Sequence, residues 1–382
     1  MKVVKKIVKA VGASTATVIM VGVAPTFAMV HTGWRIASIV LPRRYFHYGE
    51  DFLWGSYQKV ILFFFEHMTG VEILISGNVP NEKENNILIC NHQCTMDWIV
   101  ADMLAARQNM VGNMRYVFKN AIKYMPLYGY VFGVHGGVFV KRDGSYNEKN
   151  MKKVLCYLMK QKVDMNLVIF PEGTRYSTKR KELLSKSQAY AIENDLPPLT
   201  QVLTPRVKAF QCALTTMRDY VTAVYDATIL YEMQTNLSSG CRPAAPSMWR
   251  FLMNEKPRIL IQFHRIPVTE VTFNTQKSTL QWLHNRFVQK DSFISQHYGF
   301  PEDKNSGEVT AGVLTPTKYD KQDVVFTKEK CPNFSILQTL PPTVALTAVT
   351  AALILHPTGR KAYFFSLLGG SILGMAYAKV FM

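Results

Sequence analysis

Apolar positions in this 382-residue chain fall into two terminal blocks and a series of short runs between them. Residues 10 to 34 carry no Lys, Arg, Asp or Glu. A helix of about 20 apolar residues crosses a hydrocarbon core, so this block is long enough. Lys2, Lys5, Lys6 and Lys9 precede it, and Arg35, Arg43 and Arg44 follow. That layout resembles a signal peptide, but the stretch runs long and more apolar sequence follows, so a retained anchor is expected. Pro25 is placed to kink or break it, with a re-entrant segment as the alternative to a span. Val60 to Phe65 is too short to span and, with Leu53, Trp54 and Tyr57, reads as an interfacial or core helix. At the other end Leu340 to Leu355 and Ala362 to Ala378 are two further apolar runs, parted by a turn at His356 to Lys361. They predict a membrane hairpin or a shallow re-entrant pair, with Pro341 and Pro342 near its start.

Between the blocks the pattern changes. Val71 to Ile75, Ile87 to Cys90, Gly137 to Val140, Leu167 to Phe170 and Ile259 to Phe263 are short runs rich in Val, Ile and Phe, and predict strands. Leu203-Thr204-Pro205-Arg206 reads as another strand, ending at its proline. Helical spacing appears between them. Thr95 is a candidate cap for a helix from Met96 to Gln108. Ser145 with Glu148 forms a capping-box pattern opening a helix from Tyr146 to about Gln161. Strands alternating with helices predict an α/β domain. The expected organisation is 1–69 for the N-terminal anchor and interfacial helix, 70–310 for the folded domain, 311–339 for a linker and 340–382 for the hairpin. Asn236 to Pro246 is a polar, proline-containing loop.

Composition sharpens the picture. Hydrophobic residues make up 48% and charged ones 19%, as expected of apolar spans joined to an ordinary domain. Lys and Arg outnumber Asp and Glu by 44 to 27, a net +17 that calls for anionic partners. No dense basic stripe or zinc-finger spacing accompanies the charge, so nucleic acid is not expected. Anionic membrane lipid and phosphorylated substrates fit better. Six cysteines show no paired metal spacing; free thiols and no metal site are expected.

The candidate chemistry lies after two of the strands. His92 and Asp97 stand five positions apart behind Ile87–Cys90. An imidazole can take a proton from an alcohol as its oxygen attacks an acyl carbonyl, while a carboxylate on its other nitrogen fixes the tautomer. The pair alone reads equally as a satisfied turn histidine beside a helix-start carboxylate. Glu172-Gly173-Thr174-Arg175 follows Leu167–Phe170, with a glycine for a close turn and a guanidinium suited to phosphate. Alone it also reads as a charged surface turn. Arg142 closes the Phe139-Val140-Lys141 run and offers a second cation. Lys179-Arg180-Lys181 reads as a solvated face. No Gly-x-Ser-x-Gly elbow is present, and Cys94 is a nucleophile candidate only by its closeness to His92.

Taken together, these blocks resemble the glycerolipid acyltransferase family. His92 and Asp97 match its His-x4-Asp motif, Phe139 and Arg142 its second block, Glu172 to Arg175 its third, and Thr204 with Pro205 its fourth. Cys94 departs from the family's usual Ser. The resemblance implies an acyltransferase domain with a central mixed sheet. It also implies acyl-CoA as co-substrate with no resident cofactor, and lysophosphatidic acid as acceptor. His92 would be the base, Asp97 its orienter, and Arg142, Glu172, Gly173, Thr174 and Arg175 the substrate-binding residues. An endoplasmic reticulum membrane location is implied, with nuclear envelope or mitochondria as variants. Another lysophospholipid acceptor, or an inactive scaffold, remains open. The sequons at Asn236 and Asn333 are expected to be unmodified.

Overall fold

The computed structural model describes residues 2–77, 79–141, 148–232, 242–253, 257–298 and 335–382. The chain opens with α1 (Lys2–Gly22) and α2 (Ala24–Ala37), broken at Val23 with Pro25 in the first turn of α2, as its fixed φ permits. Then come α3 (Arg43–Leu62), continued by a π-helical turn over Phe63–Met68, and strands β1 (Glu72–Ser76) and β2 (Asn86–Cys90). Next are α4 (Asp97–Arg107), β3 (Met114–Lys119), α5 (Tyr128–Val134), β4 (Val138–Val140), α6 (Glu148–Lys160) and β5 (Asn166–Ile169). They are followed by α7 (Lys181–Glu193), α8 (Val207–Met217), β6 (Ala223–Glu232), α9 (Met248–Met253), β7 (Arg258–Pro267) and α10 (Gln276–His297). Two apolar helices, α11 (Ile336–Leu355) and α12 (Pro357–Phe381), close the chain.

The strands form one mixed sheet in the order β1-β7-β6-β2-β5-β3-β4. Five run parallel, while β7 lies antiparallel to β6 and carries β1 with it. All five residues of β2 are buried, as a central strand covered on both faces requires. Its side chains alternate between two cores. Leu88 and Cys90 join Phe27, Trp54, Phe65, Ile99 and Met103; Ile87 and Ile89 join Met151, Leu155, Phe210, Leu283 and Phe287. The first core is shared with α1, α2 and α3, so the N-terminal helices pack onto the sheet. Val3–Val40, Ile336–Leu355 and Pro357–Phe381 are long and apolar enough to cross a membrane.

Several sequence expectations change. The 203–206 run is not a strand; it leads into α8, held by the Glu172 and Ser187 side chains and by the Arg206 N–H donating to the Pro171 carbonyl. Helix α4 starts at Asp97 with Met96 at its N-cap and no side-chain cap, while the Thr95 hydroxyl accepts from Arg175. The capping pair of α6 lies partly outside the described residues. The C-terminal turn narrows to His356, since Pro357 suits the first helical position and the His356 ring accepts the Gly359 N–H. Val60 to Phe65 is core rather than interfacial, with Val60, Leu62 and Phe65 fully buried. Strands β3 and β6 were hidden by charge. Arg115 inside β3 is buried against Asp51 of α3 at 2.6 Å, and Asp226 inside β6 pairs with Lys290 and Arg286 of α10.

Helix α3 docks through two glycines. A Cβ on Gly112 would sit 2.2 Å from the Asp51 carbonyl, and one on Gly55 would sit 3.2 Å from the Gly112 backbone. The approach also brings Asp51 onto Arg115. Gly112→Ala therefore pushes the helix off the sheet; a loss of about 1–3 kcal/mol is expected, read as a lower melting temperature of the detergent-purified protein. An unchanged melting temperature would show that the contact is not needed.

Candidate active site

Three parallel strands end together, and the site is built at their carboxyl ends, where open α/β sheets place ligands. β2 stops at Cys90, and the Asn91 side chain continues its pairing. Its Oδ1 accepts the Ile229 N–H at 2.7 Å and its Nδ2 donates to the Ile229 carbonyl at 3.0 Å. His92 is then clamped by the loop after β5. Its N–H donates to Glu172 Oε1 at 2.5 Å, and its carbonyl accepts the Tyr176 N–H at 2.7 Å. The imidazole lies on the Phe170 ring, with centroids 4.5 Å apart.

His92 Nδ1 is 2.7 Å from Asp97 Oδ2, and the His92 side chain is 21% exposed while that of Asp97 is fully buried. Oδ2 also accepts the Gln93 N–H at 2.6 Å and the Cys94 N–H at 3.0 Å. Oδ1 accepts the Tyr231 hydroxyl at 2.7 Å and the Cys94 thiol at 3.4 Å. With donors on every side, the carboxylate acts only as acceptor, so Nδ1 carries the ring proton and Nε2 presents a lone pair. Nε2 has no partner among the described residues. Burial pushes the Cys94 thiol far up, so it stays protonated as a donor to Asp97 and is no nucleophile. It fills the role its position gives a hydroxyl, and its sulfur also accepts the Met96 N–H.

Glu172 is buried, and burial pushes it up to about 8 against the pull of two backbone amides and Arg242. Both its oxygens are used, Oε1 by His92 and Oε2 by the Leu203 N–H at 2.9 Å. The geometry thus makes it a brace between the His92 turn and the 203–206 segment. Gly173 has φ 67°, a left-handed conformation that a side chain would strain. Thr174 lies half-buried in the same turn. Arg175 is exposed and donates to Thr95 Oγ1 at 2.8 Å, which puts its guanidinium on the catalytic turn. Arg142 lies outside the described residues. Thr204 is buried and bonded to Ser187 of α7, whose Oγ accepts its N–H at 2.7 Å. Lys179, Arg180 and Lys181 are exposed.

Two residues of the site escaped the sequence reading. Tyr231, at the end of β6, reaches Asp97 across 134 positions. Arg242, in the loop read only as polar and proline-containing, donates to Gln93 Oε1 at 2.5 Å and to the Gln201 carbonyl.

The acyltransferase family model matches residues 71–231, which span every described residue of the constellation except Arg242. The mouse 1-acyl-sn-glycerol-3-phosphate acyltransferase epsilon is 40% identical over 94% of this chain and 93% of its own length. This chain belongs to the glycerophosphate acyltransferase family. A probable 1-acyl-sn-glycerol-3-phosphate acyltransferase 5 of Arabidopsis thaliana is 30% identical over 76% of this chain and 74% of its own. The crystal structure of the 1-acyl-sn-glycerophosphate acyltransferase PlsC from Thermotoga maritima covers 76% of this chain and 98% of its own, with 14% identity and a TM-score of 0.38. That overlap is too loose to carry over any side chain. Membership makes the chain an acyltransferase, and Tyr231 holds Asp97, the partner of the His92 ring. Removing one donor from a buried acceptor costs about 1–3 kcal/mol. Tyr231→Phe is expected to lower kcat about tenfold with little change in KM; an unchanged kcat would mean that Asp97 does not need it.

Proposed function

We propose that this acyltransferase moves the acyl group of acyl-CoA onto the sn-2 hydroxyl of 1-acyl-sn-glycerol 3-phosphate, giving phosphatidic acid and CoA. The observation that carries the chemistry is the His92–Asp97 pair, with Nδ1 held at 2.7 Å by the buried carboxylate and Nε2 open. His92 Nε2 takes the hydroxyl proton as the oxygen attacks the thioester carbonyl. The carbonyl pair moves to oxygen, and Asp97 stabilises the imidazolium. Collapse breaks the C–S bond, and the departing CoA sulfur takes the proton back from Nε2. Direct attack by the substrate alcohol needs no enzyme nucleophile, in keeping with the Cys94 thiol being spent on Asp97.

Arg175 is the proposed phosphate ligand, with Arg142 as its partner by family resemblance. Its attachment to Thr95 puts a cation on the turn that carries His92 and Asp97. The mouse relative's name, at 40% identity over nearly the whole chain, supports that acceptor. Both substrates carry acyl chains, and the helices long enough to span a membrane suit a multi-pass enzyme working at the bilayer. The endoplasmic reticulum is the proposed membrane.

A general base typically contributes 10²–10⁴-fold, so His92→Ala is expected to cut kcat by roughly 10³ while the protein stays membrane-bound. Full activity of the purified variant would sink the mechanism. Hydrogen bonds to charged groups contribute about 1.5–3 kcal/mol, so Arg175→Ala is expected to raise KM for lysophosphatidic acid about tenfold or more. The acceptor itself is tested with a panel of lysophospholipids and one acyl-CoA. Turnover of lysocardiolipin or lysophosphatidylinositol with none of lysophosphatidic acid would overturn the assignment.

A further inference from the structure

Arg242 is buried with no direct ion pair among the described residues. It is 6% exposed, and no carboxylate lies within ion-pair range of it among the described residues. The other deeply buried cations differ: Arg115 has Asp51, and Lys290 has Asp226. A guanidinium taken out of water unpaired is costly, and the cost is relieved when an anion arrives. Glu172 attracts Arg242, but both its oxygens are bonded to backbone amides.

The side chain is held firmly. It lies over the Tyr176 ring at 4.5 Å, and it donates to Gln93 Oε1 and to the Gln201 carbonyl. A guanidinium has five N–H donors, and its bonds to Gln93, to Gln201 and to the Tyr176 hydroxyl do not use them all. Arg242 also lines a cleft of about 90 Å³ whose other walls include Gln93, Tyr176, Ser177 and Thr178. A charged fork on a cleft also lined by two hydroxyl-bearing residues suits a phosphate group.

We propose that this cleft is a second phosphate-binding subsite, with Arg242 as its cationic ligand. The assignment rests on the reaction proposed above, which brings two phosphate-bearing substrates to one turn. Arg175 meets that turn at Thr95 and Arg242 meets it at Gln93, so cations approach it at two separate positions. The phosphate belongs either to the lysophospholipid headgroup or to coenzyme A, and both have the same chemistry at the fork.

The experiment uses the full-length protein in detergent with two matched substrate pairs. Lysophosphatidic acid is compared with 1-acylglycerol as acceptor, and acyl-CoA with an acyl-pantetheine as donor. Arg242→Gln is expected to lose at least tenfold of the wild-type preference, in kcat/KM, for the phosphate-bearing member of one pair. The pair that shows the loss names the source of the phosphate. Arg242→Lys, which keeps the charge without the fork, should retain more of that preference. Equal losses on all four substrates would overturn the subsite and leave Arg242 a brace for the Gln93 turn. Wild-type turnover of lysophosphatidic acid tests the underlying reaction separately. If the wild type acylates no lysophospholipid, thermal stabilisation by glycerol 3-phosphate and by pyrophosphate still reads the cleft. A shift in the wild type that Arg242→Gln lacks supports the subsite, and no shift in the wild type overturns it.

Discussion

The carboxylate of Asp97 is the point on which the site depends. It is fully buried, and it accepts from two backbone amides, a thiol, a phenol and the His92 ring. An unpaired carboxylate would not be tolerated there, so each donor is also a constraint on the chain that carries it. The turn from His92 to Asp97 can close only one way if both amides are to reach Oδ2. That closure sets the imidazole tautomer and leaves Nε2 facing outward. The geometry of the candidate site follows from satisfying one buried group.

Supporting bonds extend outward from that centre. Glu172 does for the His92 backbone what Asp97 does for its ring, tying it to the 203–206 segment from the loop after β5. Asn91 anchors the start of the turn to Ile229 on β6, and Tyr231 lies two residues farther along the same strand. The site is therefore held by β2, β5 and β6, adjacent in the sheet although far apart in sequence. One face of that sheet shares its core with the N-terminal helices, so the catalytic turn is continuous with the segment read as a membrane anchor. Gly55 and Gly112 permit that close docking.

The sequence made the strands β1, β2, β4, β5 and β7 legible as short runs rich in Val, Ile, Leu and Phe. It did not reveal β3 and β6, where Arg115 and Asp226 break the pattern; each is buried because a distant helix supplies the opposite charge. His92, Asp97 and the Glu172–Arg175 block were readable because their spacing is local and each follows a strand. Their division of labour was not. Glu172 was grouped with the substrate-binding residues, and only the fold shows both its oxygens taken by backbone amides. Tyr231 and Arg242 have no local signature, since their partners lie 134 and 149 residues away.

The most direct test of this arrangement is the turnover of Asp97→Asn in the purified, membrane-reconstituted protein, measured beside its melting temperature and its KM for both substrates. An amide keeps the size but brings its own hydrogens into a pocket whose neighbours are all donors, and it no longer stabilises an imidazolium. A fall in kcat of roughly 10³ or more, in a protein that still folds, is expected. A kcat within a few-fold of the wild type would contradict the central place given to this carboxylate.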